Sequence, residues 1–109
     1  MKKPTNTEAL AGLHSQQFSV IIEQRKATLT KRPHNIFRQF ILNALLNHEE
    51  ETGSVGAELT LTAMLKKGSK AGLTPGDIRA GAYSLGRMEL LNQRTDGEQV
   101  YLSLAEVIR

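Results

Sequence analysis

The sequence predicts a mainly α-helical domain that carries a small β-hairpin. Three observations lead there. Ile36, Phe37, Phe40, Ile41, Ala44 and Leu45 recur at helical spacing. Thr74-Pro75-Gly76-Asp77 has the form of a helix start, with a cap, a first-position proline and a capping-box acid. Val100, Leu102 and Leu104 alternate with Tyr101 and Ser103 behind Asp96-Gly97, as a strand does behind a hairpin turn. One core is expected in 109 residues, of which 28 are Leu, Ile, Val or Phe, a share above the roughly 20% below which chains stay disordered.

The first element is read over residues 7–28. Thr7 is a candidate cap, and Leu10, Leu13, Phe18, Ile21 and Ile22 form a near-helical apolar stripe, although Phe18–Ile22 alone also fits a short strand. Lys31-Arg32-Pro33-His34 breaks the pattern. The second helix, residues 35–48, is expected to stop near Asn47 or His48, because Glu49-Glu50-Glu51 would oppose the negative end of its dipole. Thr52–Gly56 reads as a loop. Leu61, Met64 and Leu65 mark a short helix within residues 60–68, extendable to Ala71, and Gly72 ends it. The helix opened by Thr74 buries Ile78, Ala82, Leu85 and Met88. Gly81 and Gly86 cost it about 1 kcal/mol each relative to alanine, which close packing against another helix would justify.

Composition excludes several chemistries. With no cysteine, disulfides, thiolate catalysis and Cys-type zinc sites are out. His14, His34 and His48 share no metal-ligand spacing, and no Ser, His and Asp set stands out as a triad. The expectation is therefore a non-enzyme without metal or cofactor. Pro4-Thr5-Asn6-Thr7-Glu8 occupies the place of a leader's apolar stretch, and no apolar run approaches the roughly 18 residues that span a bilayer, so a soluble, cytoplasmic chain is expected.

The stretches Leu61–Leu65, Leu73-Thr74-Pro75, Ile78, Leu85, Met88, Leu90-Leu91 and the Asp96-Gly97 hairpin come in an order that resembles the winged helix-turn-helix domain of bacterial transcription regulators such as the MarR and ArsR groups. The resemblance implies a helix in the DNA major groove, a bracing helix on the backbone, and a hairpin wing beside them. It divides the chain into an N-terminal helical arm, residues 1–30, and a winged helix-turn-helix domain, residues 31–109. Lys66–Gly72 departs from the pattern as a connection longer and more flexible than usual.

Charge supports a nucleic-acid partner. Lys66 to Arg94 holds six basic residues against two acidic ones, and Arg25 to Arg38 holds five against none, although the whole chain is only +3. The face of the third helix away from Ile78 offers Gly76, Arg79, Ala80, Tyr83, Ser84 and Arg87. Arg79, Tyr83, Ser84 and Arg87 are expected to contact bases or the groove, Lys66, Lys67, Lys70 and Thr74 phosphates, and Arg94 the flanking backbone. Leu10, Leu13, Phe18, Ile21 and Ile22 serve one of two ends: pairing with a second copy, which would space two reading helices by about 34 Å, or folding back on the chain's own core. The competing reading is a protein-interaction module on the same scaffold, using Tyr83, Tyr101 and the N-terminal helix.

Overall fold

The computed structural model describes residues 6–31 and 33–105, with side chains from Phe18 onward. Helix α1 spans Asn6–Leu29 and α2 spans Ile36–Thr52; strand β1, Leu59–Thr60, runs directly into α3, Leu61–Lys70. Helix α4 covers Pro75–Arg87, followed by β2, Leu91–Asp96, and β3, Gln99–Leu104. The fold is thus mainly helical with one antiparallel sheet, ordered β1-β3-β2.

Helix α2 is the centre of the core, since Ile41, Leu42 and Leu45 are wholly buried. Met64 of α3, Ile78 and Leu85 of α4, Leu102 and Leu104 of β3, and Leu29 of α1 close around it. Each such side chain contributes about 1.5–3 kcal/mol of burial free energy. Leu102 and Leu104 of β3 are buried as predicted and Val100 is half-buried, but Ser103 between them is buried too, so the predicted alternation of burial fails at the end of this central strand.

Residues 18–22 are helical, as their near-helical stripe predicts, which removes the alternative of a short strand. Several other expectations are corrected. Helix α2 does not stop at His48 but runs on to Thr52, because Glu49 faces the interior instead of the dipole's end. Its carboxylate accepts Arg25 Nε at 3.0 Å and Nη2 at 2.7 Å, and the Gly56 amide at 2.7 Å. Those three bonds replace its hydration. The basic stretch Lys66–Lys70 is helix, not flexible loop. The connection to α4 is short because Gly72, at φ +83°, closes α3: its amide donates to Ser69 O at 3.1 Å and the Leu73 amide to Gly68 O at 2.8 Å. A third strand, β1, pairs Leu59 with Leu102 and Thr60 with Tyr101; two residues are too few to show a period. The hairpin turns on Gly97-Glu98, one residue later than expected, with Asp96 paired to Gln99 and glycine supplying the positive φ at the first central position.

Helix α4 ends in the same way as α3, with Glu89 N donating to Gly86 O and Leu90 N to Leu85 O, both at 3.0 Å. Here the left-handed position is filled by Glu89 at φ 63°, without glycine. A side chain there costs about 1–2 kcal/mol, against about 0.5–1 kcal/mol for glycine's greater unfolded freedom. Glu89→Gly is accordingly expected to stabilise the fold by about 0.5 kcal/mol, read as an upward shift in the urea midpoint at constant slope.

Candidate nucleic-acid interface

Helix α4 begins as its sequence requires. The Thr74 hydroxyl accepts the Asp77 amide at 3.1 Å and the Asp77 carboxylate accepts the Thr74 amide at 3.0 Å, completing the capping box ahead of Pro75. Ile78 and Leu85 then anchor one side with no exposure. Helical geometry turns Gly76, Ala80, Tyr83 and Arg87 outward and sets Arg79 and Ser84 on the two flanks, and all but the half-buried Ser84 are exposed. Tyr83 keeps 68% of its surface open. Arg87 Nη1 donates to its hydroxyl at 3.3 Å, with the guanidinium 6.0 Å from the ring centroid, so the two form one polar ridge.

Ser84 leads to a residue that the sequence reading did not single out. Its hydroxyl accepts Arg38 Nη1 at 3.2 Å. Arg38 Nε donates to His34 Nδ1 at 3.2 Å, which leaves His34 Nε2 to donate to Leu29 O at 2.7 Å. Arg38 sits in the first turn of α2, where Asn35 caps its amide at 2.8 Å. The helix dipole disfavours a cation there. That misplacement was the available signal: a basic residue three positions after a cap has no local reason to be present.

The remaining expected contacts are dispersed. Lys66, Lys67 and Lys70 are exposed on α3, but Lys67 and Lys70 border a groove of about 350 Å³ with Phe40, Asn43 and Asn47 of α2. Arg94 is not a free cation: its Nε and Nη2 donate to Glu58 at 2.8 and 2.7 Å, Asp96 lies 3.9 Å away, and Tyr101 stacks beneath it at 4.3 Å. The hydrogen bond from Arg94 holds the Glu58 carboxyl below the usual range, and the same bond raises Arg94. From the basic cluster at residues 25–38, Arg25 is withdrawn into its buried pair with Glu49. Among the described residues, Arg25 and Arg94 take carboxylate partners, whereas Arg38, Arg79 and Arg87 form no ion pair. Those three border the outward face of α4.

Of the apolar residues expected on the first helix, Ile22 is buried against the core and Ile21 is 41% exposed beside Val20 at 55%. Phe18 is half-buried. The side chains of Leu10 and Leu13 lie outside the described ones, and Thr7 stands within the helix that begins at Asn6 rather than capping it. No family model, curated protein or solved structure matches this chain. No described helix is long and apolar enough to cross a membrane.

Proposed function

We propose that this chain binds double-stranded DNA through the outward face of α4 and acts as a small transcription regulator of winged helix-turn-helix type. One observation carries the reading: among the described residues, the arginines without carboxylate partners, Arg38, Arg79 and Arg87, all border that face, while Arg25 and Arg94 are paired elsewhere. The short glycine-closed turn between α3 and α4 and the element order α2-β1-α3-α4-β2-β3 are compatible with such a fold. Ala80 and Gly76 keep the helix surface low between longer side chains, so its backbone approaches a groove closely. Guanidinium groups suit guanine O6 and N7, and the free Thr74 hydroxyl hydrogen suits a phosphate. Pairing of two copies through Val20 and Ile21 belongs to the same proposal.

The test is a mobility shift on random duplex across a salt series. Binding should fall steeply with salt. Arg79→Ala is expected to cost about 1–3 kcal/mol and relax preference at one base pair. A parent that ignores duplex DNA at low salt would sink the reading. A second reading, a protein-interaction module, is favoured by Tyr83, whose open ring adjoins a shallow groove of about 200 Å³ with Gly86, Leu91 and Gln93; it would be supported by that same null result.

A further inference from the structure

A duplex that takes α4 into its major groove lays a phosphate strand along each flank of the helix, and beyond the helix the two sides carry different charges. On the hairpin flank, Arg94 is forked by Glu58 and approached by Asp96, and exposed Glu98 adds a further negative charge at the turn. Arg79 stands on this flank of α4 itself, but phosphates that reach the hairpin beyond it meet three carboxylates and one arginine. On the other flank, Arg38 reaches from α2 to Ser84 of α4 at 3.2 Å without a carboxylate, and His34 and the Pro33 carbonyl fix its orientation through bonds of 3.2 and 3.4 Å. Its remaining N–H donors are uncommitted. Lys31 is exposed in the same connection, which the 2.7 Å bond from His34 to Leu29 O ties to the end of α1.

We infer that the bound duplex extends from α4 over the junction of α1 and α2, with Arg38 and Lys31 on its phosphates, and that the β2–β3 hairpin carries no phosphate contact. This rests on the DNA-binding reading above and departs from the arrangement that the winged-helix resemblance implies, in which the hairpin touches the flanking backbone. Held by Ser84 and His34, Arg38 is a preorganised phosphate ligand and loses little side-chain freedom on binding.

Four variants on one random duplex, each followed over a salt series with circular dichroism as a control of fold, decide the matter. Arg38→Ala should lower affinity about tenfold at low salt and reduce the salt slope by about one. Lys31→Glu, whose side chain is exposed, should weaken binding in the same direction even if Arg38→Ala disturbs the α2–α4 contact. Arg94→Ala, and Asp96→Asn combined with Glu98→Gln, should stay within about twofold of the parent. A hairpin variant that shifts affinity by more than this, or a Lys31→Glu protein that binds like the parent, overturns the inference. Weakened binding by Arg79→Ala, measured beside these four, would still uphold the role of α4, whereas a parent that binds no duplex removes both.

Discussion

Glu49→Ala is expected to destabilise the protein by about 3–5 kcal/mol, a large part of a small domain's stability. The side chain is fully buried at the C-terminal end of α2, and Arg25 opposite it is 5% exposed. Removing the carboxylate leaves a guanidinium without its two-bond partner at 3.0 and 2.7 Å and orphans the Gly56 amide. Breaking one side of a buried pair costs more than the pair is worth. Arg25→Met combined with Glu49→Leu should therefore recover most of the loss, less about 1–3 kcal/mol for the unsatisfied Gly56 amide. Glu50→Ala, on the exposed neighbour, should stay within about 0.5 kcal/mol of the parent. Urea titrations of these proteins provide the measurement, and a Glu49→Ala midpoint equal to that of Glu50→Ala would refute the role given to the pair. The consequence reaches function, since Arg25 lies between Ile22 and Leu29 on the face by which α1 meets the core, near the junction that carries Lys31 and His34.

What the sequence made legible follows from how locally each feature is determined. The Thr74 capping box, the Ile78 and Leu85 stripe and the strand Gln99–Leu104 depend on neighbours within a few residues, and each stands where its spacing put it. Glu49 was misread because local electrostatics was the only force in view; its partner is 24 positions away, and a dipole penalty is small beside a bidentate buried bond. The partner of Arg94 is hidden from a sequence reading in the same way, Glu58 being 36 positions off. A count of basic residues does not tell which of them are already paired. Among the described residues, sorting the arginines by partner leaves Arg38, Arg79 and Arg87 without a carboxylate, beside the exposed lysines.

Gly81 and Gly86 are expected to respond to the same substitution with opposite signs. A Cβ on Gly81 would lie 2.9 Å from Ile41 Cδ1, 3.1 Å from Phe37 Cβ and 3.2 Å from the Phe37 carbonyl carbon, so Gly81→Ala pushes α4 off α2 at the centre of the core. Overpacking of this kind costs about 1–3 kcal/mol, and the backbone atom among the three leaves little room for relaxation. Gly86 meets nothing within 4 Å, which corrects the expectation that both glycines serve helix packing. Gly86→Ala should instead stabilise the helix by about 0.5–1 kcal/mol, because alanine loses less backbone freedom on folding. The two variants should thus stand about 2–4 kcal/mol apart in thermal or urea unfolding, and a destabilised Gly86→Ala would return that residue to a packing role. A glycine kept where alanine is more stable needs another reason, and its position between Tyr83, Arg87 and Gln93 supplies one under the proposed function: a bare backbone at the edge of the proposed DNA-binding face. Gly86→Ala is then expected to bind duplex DNA more weakly while melting later, since a methyl group there stands between the helix and whatever closes on it. Stability and affinity moving together in that variant would remove Gly86 from the interface and leave the arginines to carry it alone.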